Sequence, residues 1–382
     1  MLETLVKRSA VACVIVAVIA RGIGAQGTLG SQGFGYPPGQ LSVFSRSLGG
    51  ATAEVDPLSP INPAALGLFR RGGLYLQSER ESRSLEAEGQ SGSTRSFRFP
   101  LFAAAVPVGS RGAFSLSFST LLDRTWGTEV RGEQPFDNTT IGYVQRFRSE
   151  GALNDIRAGG AYALRDDLML GLGVHLFPGE NRLQIERVFD DSLTFAPLRD
   201  SANVNYFGAG VSAGVMWRPS RALMVGASGR FGGSLKLRER DSLRTEADAP
   251  GRYGIGARYE FIPGTAVALR ADRSLWSNMA GLGSERATPE DTWDMGVGLD
   301  ALGPRILGAQ LGLRAGGRWR SLPFRASGEL VRETAFSFGT GAPVAGGRGQ
   351  LDLFFEWASR EADNVDAKER SVTFGLGFTV RP

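Results

Sequence analysis

From Leu74 to its end, this sequence consists of segments of about ten residues in which apolar and polar side chains alternate between turn-forming clusters. The segment Ala113–Leu122 is the clearest, because Phe114, Leu116 and Phe118 share one face while serine and threonine dominate the other. Alternation with a period of two predicts β-strands that separate an apolar environment from a polar one. The pattern is typical of a transmembrane barrel, whose outer face meets lipid and whose inner face meets a polar lumen.

Charged side chains on the polar face strengthen this prediction. In residues 350–357, Gln350, Asp352 and Glu356 lie opposite leucine and tryptophan. Charge at alternate positions is costly in the core of a soluble β-sandwich, which is the alternative fold. We count roughly fourteen segments, and even strand numbers are the rule for single-chain bacterial barrels. They lie near 73–81, 95–108, 112–123, 139–149, 153–165, 167–178, 204–218, 221–236, 252–262, 264–274, 291–302, 307–319, 323–341 (one strand or two) and 349–380 (two strands). We therefore predict one all-β, antiparallel transmembrane β-barrel over residues 72–382.

The links between these segments differ in length. Short links predict periplasmic turns, at 165–167, 219–221 and 262–264. Longer polar links predict extracellular loops, near 124–138, 179–203, 237–251 and 275–290. Several tryptophans fall near predicted strand ends, as in the aromatic girdles at bilayer interfaces, namely Trp126, Trp217, Trp276, Trp293 and Trp357.

The N-terminus predicts export. Two basic residues precede the apolar run Ser9–Ala20, and a small-residue cleavage site ends at Ala25, so residues 1–25 are predicted to be a signal peptide. The run is too short to cross a bilayer, which takes about 20 residues; an uncleaved anchor helix is the alternative. Cys13, the only cysteine, lies in this run. The mature chain would therefore contain no disulfide and no thiolate metal site.

Composition argues against chemistry or nucleic-acid binding in this chain. His175 is the only histidine, and one ligand does not make a metal site. Residues 210–214 match G-x-S-x-G, the pattern around a nucleophilic serine, but they lie in an alternating segment with no helix after it. The acidic pair Asp190-Asp191 is either a divalent-ion ligand or solvated loop charge. The net charge of +4 is spread along the chain rather than clustered. We expect no enzyme, cofactor, bound metal or nucleic-acid partner.

Residues 26–71, between the predicted signal peptide and the first strand, lack strand periodicity. Within them, Ser45–Leu66 resembles the N-terminal segment of the long-chain fatty-acid transporter (FadL-like) family of outer-membrane proteins. The shared pattern is a Gly-Ala-rich stretch, an acidic residue and then Asn-Pro-Ala-x-Leu, filled here by Gly49, Gly50, Ala51, Asp56, Asn62, Pro63, Ala64 and Leu66. The resemblance continues through Pro100–Leu122, which looks like the family's second and third strands.

This resemblance implies a fourteen-stranded barrel whose N-terminal segment folds inward as a hatch. A lumen of that width is not filled by the side chains of its own wall, and three prolines prevent residues 26–71 from pairing as a central strand. We therefore expect residues 26–71 to plug the lumen, with hatch and gating residues Gly49, Gly50, Asp56, Asn62, Pro63 and Ala64. Asn62 either hydrogen-bonds the barrel wall or only begins a turn.

The resemblance also implies uptake of hydrophobic molecules that leave sideways, into the bilayer, through a gap at a kinked third strand. Where the transporters have an apolar, Gly-containing kink, this chain has Asp123-Arg124-Thr125-Trp126, which is therefore the candidate lateral-exit region. Phe34, Phe44 and Phe69 are candidate ligand contacts in the hatch.

The function expected from these observations is a channel in the bacterial outer membrane for passive uptake of hydrophobic or amphipathic small molecules such as long-chain fatty acids. Its expected partners are outer-membrane lipid, a hydrophobic small-molecule ligand and the barrel-assembly machinery. The alternative is a barrel that serves as a scaffold or interaction component of a secretion or surface-protein complex.

Overall fold

The computed structural model describes residues 34–87, 90–136, 139–190, 194–239, 242–282, 288–306 and 308–381. The predicted signal peptide, the first part of the predicted hatch (26–33) and Asp191 of the acidic pair lie outside these residues. No helix in the described part of the chain is long and apolar enough to cross a bilayer.

Seventeen β-strands form one antiparallel sheet that closes on itself. It closes because the last strand pairs with the first, from Leu74 opposite Val380 to Ala87 opposite Ala367. Closure leaves no free sheet edge along this seam, as a lipid environment requires. The strands are β1 (Gly73–Ala87), β2 (Gln90–Val108), β3 (Gly112–Asp123), β4 (Trp126–Phe136), β5 (Thr139–Arg165), β6 (Leu168–Leu176), β7 (Gly179–Phe189), β8 (Leu198–Trp217), β9 (Leu223–Glu239), β10 (Ser242–Asp248), β11 (Gly251–Ile262), β12 (Thr265–Leu275), β13 (Thr292–Ile306), β14 (Ala309–Ala326), β15 (Glu329–Val344), β16 (Gly349–Glu361) and β17 (Ala367–Val380).

Three pairs of consecutive strands are the two halves of one barrel strand. Both β3 and β4 pair with β5, both β6 and β7 pair with β5 and β8, and both β10 and β11 pair with β9. Seventeen strands less these three joins give 14 barrel strands in the described part of the chain. The predicted fold class and strand number are therefore confirmed.

The prediction of loops at 124–138, 179–203 and 237–251 is largely wrong, because these segments form β4, β7, β10 and the start of β8. Likewise, 139–149 and 153–165 belong to one strand, β5. The polar residues that suggested loops pair in ladders instead, for example from Trp126 opposite Ser149 to Phe136 opposite Thr139. Strands that extend past the bilayer have water on their outer face, so they lose the alternation that marks a strand in lipid. In the fourth predicted loop, 275–290, Trp276–Leu282 forms a 3₁₀ helix.

Alternating side chains divide between lipid and lumen as the pattern predicts. On β17 the outward row is apolar and exposed: Val372, Phe374, Leu376, Phe378 and Val380. The inward row between them carries buried Ser371, Thr373 and Thr379. Trp217, Trp293 and Trp357 are exposed, as expected for residues of a girdle, but Trp276 is buried inside the barrel. The interpretation of Trp276 as a girdle residue is therefore wrong.

Residues 34–72 run inside the barrel and are mostly buried. They contain a short helix, α1 (Val43–Arg46), and a 3₁₀ helix (Pro63–Leu68). We call residues 34–72 the hatch. Because its side chains bond to strands from β1 to β16, the hatch is held by the wall of the barrel and not by a core of its own.

Candidate functional site: the hatch, the lumen and a gap in the wall

The hatch turn at Gly49-Gly50 lies directly against the backbone of the wall. Gly49 has φ +63°, and a Cβ atom there would lie 2.4 Å from the carbonyl oxygen of Gly317. On the wall, a Cβ on Gly296 would lie 2.4 Å from the carbonyl oxygen of Gly49. Glycine on both sides of this contact is what lets the two backbones approach so closely.

The Asn62-Pro63-Ala64 segment is fixed to the opposite wall. The Asn62 amide donates to the backbone oxygen of Val215 on β8 at 3.1 Å, and its side-chain oxygen accepts from the Ala64 N–H at 2.9 Å. Asn62 therefore does both things that the sequence left open, since it caps the 3₁₀ helix and also bonds the wall. Glycine again makes room, because a Cβ on Gly171 would lie 2.2 Å from the Ala64 nitrogen.

Asp56 organises the hatch internally. Its carboxylate accepts from the Ser42 hydroxyl at 2.5 Å, the Ser59 hydroxyl at 2.7 Å and the Leu58 N–H at 3.1 Å. Burial without a cationic partner raises the pKa of the Asp56 carboxyl, and the three hydrogen bonds only partly offset this.

Buried ion pairs also join the hatch to the wall. Glu54 accepts from Arg252 on β11 at 2.6 Å, and Arg46 donates to Glu356 on β16 at 2.6 Å. All four side chains are nearly inaccessible to water. Removing one member of such a pair leaves an uncompensated buried charge, so these contacts fix where the hatch sits.

Tyr36 lies at the start of the described hatch and forms an antiparallel bridge with Asp123 at the end of β3, with N–O distances of 2.7 and 2.8 Å. Its hydroxyl donates to Glu333 at 2.9 Å. Three guanidinium groups lie 4.4–4.9 Å from the centroid of its ring, those of Arg83, Arg320 and Arg360. The hatch thus replaces a wall strand as the partner of β3 where that strand ends.

The wall has a gap beside this bridge. The ladder between β2 and β3 runs only from Leu101 opposite Ser119 to Val108 opposite Gly112. Beyond it, β4 pairs with β5 alone, so no ladder joins β4 to residues 90–99 of β2 in the described structure. A cavity of about 400 Å³ occupies this gap, lined by Arg83, Thr94, Arg95, Ser96, Asp123, Thr125, Trp126, Gly127, Arg148, Ser149 and Glu150. We call it the gap pocket.

The four predicted lateral-exit residues all lie at this break. The Arg124 N–H donates to the Gly151 carbonyl at 3.0 Å, and the Asp123 carboxylate accepts from the Thr125 N–H at 2.9 Å. The Arg124 side chain turns inward and donates to the Tyr206 hydroxyl at 2.5 Å. These local bonds satisfy the backbone where the β2–β3 ladder has stopped.

An apolar cluster fills the lumen behind the gap. Phe34 and Trp276 pack edge to face with ring centroids 6.0 Å apart, and both contact the cluster that includes Leu121 and Leu122 of β3. Phe34, one of the candidate ligand contacts, therefore lies in an apolar region next to the break. Phe44 lies instead under the Arg314 guanidinium, 4.5 Å away.

A second cavity has a cationic end and an apolar wall. Arg157 on β5 is 2% exposed and, within the described residues, its guanidinium has no hydrogen-bond or ion-pair partner. Ser115, Ser117 and Thr379 also present buried hydroxyls without a partner there. The opposite wall is apolar hatch, formed by Pro57, Leu58, Pro60, Leu66 and Phe69. At about 10 Å³ the closed cavity has room for one water molecule at most.

His175 forms a hydrogen-bonded row with Asp155 and Ser212. Its Nδ1 lies 2.7 Å from the Asp155 carboxylate and its Nε2 lies 2.8 Å from the Ser212 hydroxyl. The order of groups is that of a Ser-His-Asp triad. However, Ser212 is 3% exposed and lines neither the gap pocket nor the cavity beside Arg157, while Asp155 also accepts from Gln40 of the hatch at 2.8 Å. The row therefore connects the hatch to the wall.

Sequence reasoning missed Tyr36, Gln40 and Arg157. The partners of Tyr36 and Gln40 are far away in sequence, Glu333 by 297 residues and Asp155 by 115. No local pattern marks such contacts, since they form only when the barrel closes. The one available signal for Arg157 was its position on the polar face of an alternating segment.

These features define the class of protein: a fourteen-stranded β-barrel of the bacterial outer-membrane type, with a hatch inside and a gap in its wall. No family model matches the sequence, and no curated protein matches it.

Solved structures do share the fold. A Pseudomonas aeruginosa FadL homologue is 15% identical, with 91% of this chain and 99% of that chain covered and a TM-score of 0.63. The Pseudomonas putida toluene transporter TodX is 13% identical, covering 89% and 98%, with a TM-score of 0.59. The monoaromatic hydrocarbon channel CymD is 14% identical, covering 94% and 99%, with a TM-score of 0.57. The fold is therefore that of the FadL-type outer-membrane barrels, as the resemblance implied.

Proposed function

We propose that this protein is a channel for passive uptake of hydrophobic or amphipathic small molecules across the outer membrane, with long-chain fatty acids as the first candidates. The observation that carries the proposal is the gap between β2 and β4. A closed barrel with a plugged lumen gives an apolar molecule no route, whereas a gap beside the hatch leads from the lumen to the bilayer.

The lumen supports apolar cargo next to this gap. The cluster behind the break, with Phe34, Leu121 and Trp276, provides an apolar surface in a lumen that also holds many buried charged and polar side chains. A molecule that leaves water for this surface gains about 25 cal/mol for each Å² of apolar area it buries. From there the bilayer is the next apolar environment along the gap.

Arg157 supports cargo with an anionic end. A buried guanidinium without a direct ion pair is costly, since Asp155 acts on Arg157 only from beyond ion-pair distance, and a carboxylate is its best planar partner. The apolar hatch side chains around it suit an alkyl or aryl tail. Because the closed cavity is too small for such a ligand, movement of hatch residues 57–69 is part of the proposal.

Uptake by whole cells tests the function. Cells that lack their own channel of this type should accumulate a labelled long-chain fatty acid faster when they express this protein, and equal uptake with the empty vector would remove the claim. Arg157→Met should slow uptake of the acid more than uptake of toluene, a neutral cargo. A barrel that co-purifies with a stoichiometric protein partner and transports nothing would instead be a scaffold.

The route is tested by closing the gap. Ser96 and Gly127 lie on opposite sides of the gap pocket, and the mature chain is expected to have no native cysteine. A bismaleimide cross-link in the Ser96→Cys/Gly127→Cys variant should stop uptake, whereas either single-cysteine variant treated with the reagent should keep it. Undiminished uptake through the cross-linked barrel would show that cargo leaves by another route.

A further inference from the structure

The mouth of the gap pocket carries hydrogen-bond donors that the protein itself leaves unused. On the lumen side the arginines are paired, since Arg83 bonds Glu81 at 2.8 Å and Arg98 bonds Asp123 at 3.0 Å. On the membrane side, the exposed Arg95 of β2 has no partner within the described residues.

Arg148 of β5 completes the cationic side of the mouth. It is also exposed and has no partner among the described side chains. Ser96 and Trp126 line the lumen side of the same pocket, and the Ser96 hydroxyl and the Trp126 indole N–H are buried without an acceptor in the described structure. Glu150 is the one acid on the outer side of the mouth. The unused groups therefore favour an anion rich in acceptors.

The strand alternation turns these arginines toward the membrane. Arg95 lies two and four residues from Phe97 and Phe99, so its side chain is on the same face of β2. These phenylalanines are 64% and 56% exposed on the outer face. Arg148 alternates with buried Ser149 on β5. Both guanidinium groups therefore face outward, so a molecule in the membrane reaches them before a molecule in the lumen does.

The strand register sets the depth of the site. Arg95 lies opposite Ser82, and Ser82 lies opposite Val372. Val372 is the last member of the outward apolar row of β17 before the exposed Arg370. On its own strand, Arg95 is the first residue beyond the outward-facing Phe97 and Phe99, so it lies at the end of the outward apolar row of β2.

We propose that the gap pocket binds the phosphate-bearing headgroup of a membrane lipid, with the lipid's acyl chains lying on Phe97 and Phe99. Arginine forms bidentate, charge-assisted bonds with phosphate, and basic pockets at the membrane interface are known sites for such headgroups. The lipid seals the gap from the outside. The proposal rests on the gap alone and does not depend on the identity of the cargo.

Native mass spectrometry of the purified barrel with phosphatidic acid tests this, with phosphatidylcholine of the same chains as the neutral reference. Wild type should retain phosphatidic acid preferentially, and Arg95→Gln/Arg148→Gln should weaken retention by about tenfold or more, since each charged hydrogen bond carries roughly that factor. Trp126→Phe keeps the ring and removes a buried donor on the lumen side of the pocket, so it should change retention far less than the double arginine substitution does.

The matched control is Arg221→Gln/Arg238→Gln, which removes two exposed arginines elsewhere on the barrel and should leave retention within about twofold. Heat-modifiable migration on gels checks that each variant is folded. If both double variants lose the same amount of retained lipid, the effect is one of net charge alone, and the proposed site is wrong.

Two competitors distinguish the source of the anion. Inorganic phosphate that displaces the lipid at equal concentration would identify a free-anion site. Oleate that is retained through Arg95 and Arg148, when phosphatidic acid is not, would identify a cargo carboxylate site. Either result would overturn the lipid proposal and leave the uptake measurements above unaffected.

Discussion

At the scale of single residues, glycine and buried charge decide where the hatch sits. Gly49 of the hatch and Gly296 of the wall let two backbones come into contact, whereas ion pairs such as Glu54–Arg252 hold side chains across the lumen. The two kinds of contact differ in free-energy cost. A glycine contact needs only the absence of a Cβ, whereas each buried ion loses its hydration, and only well-placed partners offset that loss.

Gly49→Ala should loosen the hatch. The substitution puts a Cβ at φ +63° and 2.4 Å from the Gly317 carbonyl oxygen. The backbone cost alone is about 1 kcal/mol, and the clash adds to it. Ion leak across planar bilayers should rise. Gly109→Ala is the matched control, since Gly109 has φ +61° but nothing within 4 Å of the new Cβ. A leak equal to that of Gly109→Ala would contradict the close-contact argument.

Asp56 should make hatch docking depend on pH. Burial raises the pKa of its carboxyl above the ordinary value of 3.8, so the docked hatch favours the protonated form. The stabilisation is complete below pH 3.8 and is lost as the pH rises through the raised pKa. Ion leak should therefore increase as the pH rises above about 4. Asp56→Asn should flatten this profile, and Asp363→Asn, an exposed control, should not.

At the scale of elements, the break between β3 and β4 is the decisive feature. Its polar sequence, Asp123 to Trp126, bonds locally and to β5, and the β2–β3 ladder ends four residues before it at Ser119. The alternation that predicts β3 ends at Asp123, and it contains no information on which strands pair across the gap. Segment 124–138 was accordingly predicted as a loop, although it forms β4.

The effect of a charged substitution on barrel stability should depend on whether the outward-facing residue lies in the lipid belt or beyond it. Leu172 on β6 is 71% exposed within an apolar outward row, so Leu172→Arg should destabilise the barrel in vesicles by about 2–4 kcal/mol. Leu198 is 60% exposed, but it begins β8 next to a polar stretch. Leu198→Arg should therefore change stability by less than about 0.5 kcal/mol. Denaturant titration of both variants measures the difference, and equal effects would place the lipid belt elsewhere.

At the scale of the whole molecule, barrel and hatch depend on each other. The wall closes around a lumen too wide for its own side chains, and the hatch occupies that lumen through contacts with strands on every side. Deleting residues 26–71 should raise nonspecific conductance in planar bilayers, because it removes the plug and leaves Arg252 without Glu54. Unchanged conductance would refute a plugging role.

Alternation along the chain, together with the family resemblance, was enough to predict a barrel of roughly fourteen strands and the segment that enters it. Alternate residues of a strand face lipid or the lumen, so the apolar–polar alternation in the sequence shows that the two faces meet different environments. This conclusion does not require knowing which strands pair. The resemblance around Asn62-Pro63-Ala64 also located a segment that does contact the wall.

Three features became visible only once the strands were arranged in space: the gap, the row from Asp155 through His175 to Ser212, and the lack of an ion pair for Arg157 within the described residues. Each depends on which strands become neighbours when β17 meets β1, and on partners more than a hundred residues apart in cases such as Gln40 and Asp155. A local pattern describes the environment of a side chain but not its partner. The partner is chosen by closure of the barrel.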